Sequence, residues 1–153
     1  MGAEELVFEC EGIDKDGKFK LRNTGRGEDL SPEFRISNLP SKAETLVITL
    51  EDMDHPIKGF THWVAWNIPA AEVVPEGIPH GKKTPDGIMQ GVAYGMHRYA
   101  GPKPPKGVSH KYCFTIYALD TRLELSSCSM KSRVFKAMQG HILDKGSVYG
   151  SFE

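Results

Sequence analysis

The sequence predicts a mainly β protein with one helix near its C-terminal end. Short apolar, β-branched segments recur along the chain, and 16 Gly and 10 Pro among 153 residues supply turns between them. A segment with the 3.6-residue apolar period of a helix appears late, at residues 130–144. The length fits one domain over residues 1–153, without an internal repeat or a domain boundary.

The first half of the chain contains several predicted strands. Residues 6–10 form a short apolar segment, and residues 18–21 are expected to continue as strand after a turn. Residues 46–50 are apolar and β-branched, as in a buried strand, and residues 62–67 alternate with period two. The last two segments are the predicted central strands. Pro56 ends the first of them because proline has no N–H to donate to a sheet.

The second half begins with long irregular segments. Residues 70–91 carry repeated Pro and Gly turn signals, and G-P-K-P-P-K-G at residues 101–107 predicts an extended, exposed loop. Residues 110–119 then form the clearest strand in the sequence. Period two places alternate side chains of this strand on one face, namely His110, Tyr112, Phe114 and Ile116.

The C-terminal segment predicts a helix followed by a strand. Ser129 is expected to cap a helix over residues 130–144, and Gly146 is expected to stop it. Residues 147–152 are the predicted final strand. The apolar helix positions are four residues apart and share one face: Val134, Met138 and Ile142.

Charge and cysteine content narrow the classes of function. The formal net charge is −1, from 19 basic and 20 acidic residues, which argues against a nucleic-acid-binding surface. No apolar segment reaches the length of a membrane span, and the acidic start of the chain lacks the apolar core of a secretory signal. Cys10, Cys113 and Cys128 are scattered and odd in number. They predict reduced thiols in a cytoplasmic protein, not disulfides or a zinc site.

Polar side chains gather at the ends of the predicted strands. Asp52 and Asp54 follow the first central strand and are two residues apart, so extended backbone places them on one face. His62 opens the second central strand and is expected to share a face with Val64 and Trp66. A further imidazole, that of His110, opens the strand at residues 110–119. These carboxylates and imidazoles predict a site held by rigid strands.

Several motifs occur in an order that resembles the phosphatidylethanolamine-binding protein family, which includes the Raf kinase inhibitor proteins. The motifs are D-M-D-H-P at residues 52–56, H-W at 62–63, G-P-K-P-P-K-G at 101–107 and H-K-Y at 110–112. Shorter matches lie at residues 30–32, 84–87 and 117–120. The resemblance covers about residues 29–152, and the C-terminal end is most similar to the prokaryotic branch of the family.

The resemblance implies an antiparallel β-sandwich with few helices and a small pocket for phosphate-like or carboxylate groups. The residues expected to bind the ligand are Asp52, Asp54, His62, Tyr99, His110 and Tyr112. The sequence G-M-H-R-Y at residues 95–99 also fits the histidine motif of the family. We assign that motif to H-K-Y instead, because the family's histidine follows the Pro-Pro-Lys-Gly loop and begins a strand. Lys111 then replaces the usual arginine.

The expected function is binding of a small anionic or phosphoryl-bearing ligand, without catalysis, cofactor or metal. Lipid headgroup, nucleotide, phosphopeptide and small carboxylate all remain open. Asp52 or Asp54 is expected to hold His62 charged and oriented toward the anion. The alternatives are a metal-dependent hydrolase that uses the Asp and His residues, and an interaction module for a partner such as a kinase. Prokaryotic relatives suggest a homodimer.

The remaining histidines and the tryptophans have simpler expected roles. Four histidines are expected to be ordinary hydrogen-bonded side chains: His55, His80, His97 and His141. One of the two tryptophans, Trp63 and Trp66, is expected to pack in the core, and the pattern does not indicate which one.

Overall fold

The computed structural model describes residues 5–153, which form two antiparallel sheets and one short α-helix. The smaller sheet has the strand order β1 (Phe8–Cys10), β2 (Phe34–Ile36) and β5 (Val73–Val74). The larger sheet has the order β6 (Met89–Gln90), β4 (Thr61–Pro69), β3 (Thr45–Asp52), β7 (His110–Leu119) and β8 (Ile142–Phe152). The predicted mainly β, antiparallel architecture is confirmed.

The main core lies between the two sheets. Alternate residues of β7 enter it, among them Tyr112, Phe114 and Ile116, which confirms the predicted face of this strand. The ring of Phe114 meets that of Phe34 on the smaller sheet edge to face, with centroids 5.1 Å apart. Such aromatic pairs add to the free energy gained from apolar burial. Trp63 belongs to the same core and donates from its indole N–H to Gln90.

A second apolar cluster covers the outer face of the larger sheet. Helix α1 (Lys131–Met138) packs Val134 and Met138 against Trp66, so both tryptophans of the chain are fully buried. The helix has only eight residues. Among residues 5–153, no helix has the length and apolar character needed to cross a membrane.

The predicted bounds of the helix were wrong at both ends. Met130 flanks the N-terminus and makes no side-chain capping hydrogen bond, and the buried Ser129 hydroxyl has no partner within residues 5–153. The helix ends at Met138, and Gly140 follows with φ of 82°, a conformation that costs glycine little. Ile142, which was expected in the helix, instead opens β8, where an eleven-residue strand pairs along the whole of β7. The four-residue spacing between Met138 and Ile142 therefore did not indicate a helix.

Short elements account for the other differences. Residues 18–21 were expected to be strand, but Lys18 and Phe19 form only isolated β-bridges, to Ser151 and Ile13, and a 3₁₀ turn follows at Leu21–Asn23. Strands β2, β5 and β6 were not predicted. They have two or three residues each, too few for a period-two pattern to be recognised.

The antiparallel register brings three strand ends together. Asp52, the last residue of β3, pairs with Tyr112 near the start of β7, and Glu51 pairs with Thr61 at the start of β4. The residues that the sequence placed at strand ends therefore meet at one end of the larger sheet. The loops at residues 53–60 and 91–109 lie at the same end.

Candidate functional site

A cavity of about 180 Å³ opens at this end of the larger sheet. Four of the six predicted ligand-binding residues line it: Asp52, His62, His110 and Tyr112. The other lining residues are His55, Phe60, Tyr94, Lys103, Pro104 and Pro105.

His62 reaches the cavity because of a β-bulge. Its neighbours Thr61 and Trp63 pair with the consecutive residues Glu51 and Leu50 of β3, so His62 is an extra residue without a partner opposite it. A bulge redirects a side chain that strict alternation would place elsewhere. The predicted common face with Val64 and Trp66 was therefore wrong: those two side chains pack under the helix, whereas the ring of His62 contacts Tyr112, with centroids 5.5 Å apart.

The imidazole of His62 is nearly buried and held by backbone. Its Nδ1 atom donates to the carbonyl oxygen of Ala100 over 2.9 Å. Burial lowers the pKa of His62 below its ordinary 6.5, because a charged ring loses hydration. The Ala100 carbonyl and the charge of Asp52 oppose that shift. The expectation that a carboxylate orients His62 was therefore wrong: the Ala100 carbonyl does so, and Asp52 acts only through its charge.

Asp52 instead orients the other predicted imidazole. Its Oδ2 atom accepts from Nδ1 of His110 over 2.8 Å, and its Oδ1 atom accepts from the backbone N–H of Asp54 over 2.9 Å. Both carboxylate oxygens thus have a donor. This arrangement allows a carboxylate with 5% exposure to remain in the wall of the cavity.

Asp54 is not among the residues that line the cavity. The strand ends at Asp52, so the two carboxylates do not share an extended face as expected. The Oδ2 atom of Asp54 accepts from the backbone N–H of Lys111 over 2.7 Å and thereby fixes the start of β7. The Lys111 ammonium lies 4.8 Å from the ring centre of Tyr149, on the outer side of the sheet.

The two predicted tyrosines have different places. Tyr112 lines the cavity, and burial together with the charge of Asp52 raises the pKa of its phenol, so Tyr112 keeps a proton that it can donate. Tyr99 lies in the core outside the cavity lining. Its hydroxyl donates to the carbonyl of Asn23 over 2.6 Å, and its ring meets Trp63 edge to face.

Comparison with known proteins now identifies the family. A model of the family described as "Phosphatidylethanolamine-binding protein" matches residues 11–153. The chain belongs to this family. A UPF0098 protein of Pyrococcus abyssi is 39% identical over 99% of this chain and 88% of the relative. The UPF0098 protein YbhB of Escherichia coli is 34% identical over 82% of this chain and 83% of its own length.

Two solved structures share the fold. The crystal structure of Escherichia coli YbcL, described as a new member of the mammalian PEBP family, aligns with a TM-score of 0.84 at 25% identity and covers 98% of this chain and 99% of that one. A putative PEBP homologue from Chlamydia trachomatis, CT736, aligns with a TM-score of 0.82 at 26% identity over 97% of both chains. The predicted membership of the prokaryotic branch is confirmed.

Several residues that line the cavity of this PEBP family member were not predicted as site residues. His55 was given an ordinary role, but its ring stacks on Phe60 with centroids 3.8 Å apart and an interplanar angle of 4°. Its Nδ1 atom accepts from the backbone N–H of Ile57 over 3.0 Å. A signal was present, because His55 lies inside the matched motif D-M-D-H-P. Tyr94 and Lys103 come from irregular segments and carried no comparable signal.

The proline-rich wall of the cavity is held from behind by the segment at residues 23–29. Asp29 accepts from the backbone N–H of Gly101 over 2.7 Å, and Arg26 donates to the carbonyl of Pro104. A side chain at Gly101 would meet the carbonyl oxygen of Asn23 at 2.4 Å, so the two segments are in close backbone contact. The wall is therefore positioned by its contacts with the segment at residues 23–29.

The second histidine motif of the chain, G-M-H-R-Y at residues 95–99, has a structural role in this PEBP family member. Nδ1 of His97 pairs with the carbonyl of Gln90 over 2.8 Å, and Arg98 forms an ion pair with Asp29 over 3.0 Å. Neither side chain lines the cavity. These contacts agree with the assignment of the family's histidine motif to residues 110–112.

Proposed function

We propose that this protein binds a small anion or phosphoryl group in the cavity and acts as a binding protein, not as an enzyme. The observation that carries the proposal is the way in which three imidazoles line one cavity. Each ring is fixed through its Nδ1 atom, so that Nε2 is the ring nitrogen left for a ligand: His55, His62 and His110.

The Nδ1 contacts determine which Nε2 atoms carry a proton. The Ala100 carbonyl and the Asp52 carboxylate can only accept, so Nδ1 is protonated in His62 and in His110. Their Nε2 atoms are bare in the neutral ring and become donors when the ring is charged. In His55, Nδ1 accepts from a backbone N–H, so Nε2 is a donor even when the ring is neutral.

Two further cavity residues supply donors. Tyr112 retains its phenolic proton, and Lys103 brings an ammonium group to the lining. The carboxylate of Asp52 already accepts two hydrogen bonds, one on each oxygen. When His62 and His110 are charged, the cavity presents mainly hydrogen-bond donors, and an anion would receive charge-assisted bonds from these imidazoles.

The geometry favours this proposal over the hydrolase alternative. Among the described residues, the cavity lining includes no serine, threonine or cysteine that would serve as a nucleophile. Within residues 5–153, no three His, Cys, Asp or Glu side chains are grouped closely enough to hold a metal ion. The Asp52 and His110 pair supplies a positioned imidazole, which can take part in anion binding without a metal or a nucleophile.

The proposed compartment is the cytoplasm. All three cysteines are free: Cys10 and Cys113 are buried, and Cys128 is exposed. Burial raises the pKa of the Cys10 thiol to about 12, so this thiol stays protonated and unreactive. An exposed free thiol such as that of Cys128 persists in a reducing compartment, which supports this part of the proposal.

Calorimetric titration with inorganic phosphate tests the proposed function. We expect native protein to bind phosphate and the variant with both His62→Ala and His110→Ala to bind at least about 100-fold more weakly, since each substitution removes a charge-assisted hydrogen bond. His141→Ala is the matched control, because His141 forms the same type of pair with Asp120 over 2.9 Å on the surface. Absence of phosphate binding by native protein would refute the proposal, as would equal affinity in the double variant with its circular dichroism unchanged.

A further inference from the structure

Exposed apolar side chains are concentrated beside the cavity. A groove of about 520 Å³ runs next to it, and we call it the side groove. Its apolar lining residues are Ile57, Phe60, Val92, Ala93, Tyr94 and Met130. Ile57 is 63% exposed, and Tyr94 and Met130 are 60% exposed. Large apolar side chains this accessible, when grouped in one depression, indicate a binding surface.

The side groove is adjacent to the cavity. Phe60 and Tyr94 line both, with their ring centroids 5.8 Å apart, and they form the partition between them. On its cavity side, Phe60 meets His62 edge to face with centroids 5.6 Å apart. An anion bonded to the imidazoles would therefore lie directly across two aromatic rings from the side groove.

The chemistry of the side groove differs from that of the cavity. Among residues 5–153, its one charged lining residue is Lys131, whose ammonium already pairs with Glu51 over 2.9 Å and with the carbonyl of Gly59 over 3.2 Å. The remaining lining is largely apolar or aromatic. The side groove therefore offers burial to an apolar group and little to a charged or strongly polar one.

We propose that the ligand of this protein is a phosphate monoester with an apolar substituent. The phosphate occupies the cavity, and a short alkyl or aryl substituent crosses Phe60 and Tyr94 into the side groove. This inference rests on the proposed function and adds the class of substituent to it. A polar, charged substituent such as ethanolamine gains nothing from the side groove, whereas an alkyl chain loses its contact with water there.

The test compares three probes by calorimetric titration: inorganic phosphate, O-phosphorylethanolamine and n-hexyl phosphate. We expect hexyl phosphate to bind at least about tenfold more tightly than the other two, because burial of a few methylene groups is sufficient for that ratio. Equal affinity for hexyl phosphate and phosphorylethanolamine, with phosphate still bound, would overturn the inference and leave the proposed function intact. Failure to bind any of the three would refute both.

The variant Met130→Ser tests whether the apolar substituent of the phosphate ester lies in the side groove. Met130 lines the side groove but not the cavity, and serine is favoured at its position before the helix, so the substitution should not destabilise the fold. We expect hexyl phosphate to bind this variant about threefold to tenfold more weakly, with the affinity for inorganic phosphate unchanged.

Met96→Ser is the matched control for this variant. Met96 is 57% exposed, close to the exposure of Met130, but lines neither the cavity nor the side groove. We expect its affinity for all three probes to equal that of native protein. An equal effect of Met96→Ser and Met130→Ser on hexyl phosphate, or no effect of Met130→Ser, would place the substituent elsewhere and overturn the inference.

Discussion

Two hollows of similar size lie at opposite ends of β4, and one has a polar lining whereas the other has an apolar lining. The cavity at its start, near His62, has a volume of about 180 Å³ and is lined by three imidazoles, Lys103 and Asp52. A cleft at its end, near Ile68, has a volume of about 220 Å³ and is lined mainly by apolar residues. Volume therefore does not distinguish the proposed anion site from the cleft, whereas the hydrogen-bond donors in the lining do.

The apolar cleft is an extension of the core. Ile68 and Val74 are 2% exposed, and both belong to the cluster between the sheets, as do Ile78 and Ile88. In the polar cavity, the three histidines and Asp52 are instead fixed by hydrogen bonds to backbone and to one another. We therefore expect substitutions in the cleft to change the stability of the fold and substitutions in the cavity to change ligand affinity.

The largest expected effect is that of Ile68→Ala on stability. Removing this buried side chain from the cleft should lower the free energy of unfolding by about 2–5 kcal/mol, measured by denaturant unfolding. The folded variant should bind phosphate as native protein does. Val73→Ala, at a cleft residue that is 43% exposed, is the control and should cost less than about 0.5 kcal/mol. Loss of phosphate affinity in folded Ile68→Ala would show that the two hollows are coupled.

Asp52→Asn should have the next largest effect, on affinity. The amide keeps an acceptor for the Asp54 N–H but directs a donor toward His110, and this donor disfavours the charged form of the His110 ring. The substitution also removes the negative charge that raises the pKa of His62. We expect phosphate affinity to fall about tenfold by calorimetry. Asp120→Asn breaks the similar surface pair with His141 and should have no effect. Tighter binding by Asp52→Asn would mean that the carboxylate mainly repels the anion.

The third prediction concerns pH. Since burial lowers the pKa of His62 below 6.5 in the folded protein, free His62 is mostly neutral at neutral pH, and anion binding must take up a proton. Affinity for sulfate, which does not titrate in this range, should therefore fall by up to about tenfold per pH unit as pH rises between about pH 5 and about pH 8. His62→Ala should have a shallower profile. A profile unchanged by that substitution would contradict the role of this ring.

The stability of the free protein should show the opposite dependence on pH. The folded state disfavours the charged form of His62, so the unfolded state binds more protons once pH falls below 6.5. The contribution of neutral His62 to stability is therefore fully present above pH 6.5 and should be lost as pH falls below that value. Urea unfolding in the absence of anions measures the loss. Added sulfate should offset the loss, because it binds the folded state with a charged His62.

The smallest expected effect is a difference in phosphate affinity between variants of two lysines. Lys103 lines the cavity, whereas the Lys111 ammonium lies over the ring of Tyr149 on the outer side of the sheet. Lys103→Ala should weaken phosphate binding about threefold at low salt, as expected for an exposed charge, and Lys111→Ala should leave it unchanged. Equal losses of phosphate affinity in the two variants would indicate that Lys103 acts through the overall surface charge and not through a contact in the cavity.

Much of the larger sheet could be predicted because its strands are long and strictly patterned. The bounds of β7 were predicted correctly as residues 110–119, and the central strands were recognised from their apolar segments. The end of the helix could not be predicted, since the spacing of Met138 and Ile142 fits a helix equally well. Only the pairing of Ile142 with the distant Leu119 decides its conformation.

The candidate site could be predicted only where it lies on regular strands. Asp52, His110 and Tyr112 belong to paired strand ends, so their proximity follows from the antiparallel register. His55 and Lys103 reach the cavity from loops whose path depends on distant contacts, such as that of Arg26 with the carbonyl of Pro104. Tyr99 precedes the proline-rich loop in sequence but turns into the core, which no local pattern indicates.

Because His62 is a bulge residue, its insertion or deletion would not change which side chains of β4 face the core. Thr61 and Trp63 pair with consecutive residues of β3, so a chain that lacked residue 62 would retain an unbroken ladder and the same inward side chains. Most single-residue insertions and deletions in a strand exchange its two faces, but here one residue can be gained or lost without that exchange. Evolution can thus add or remove the imidazole at this position by a change in length, while the hydrophobic register of the sheet stays constant.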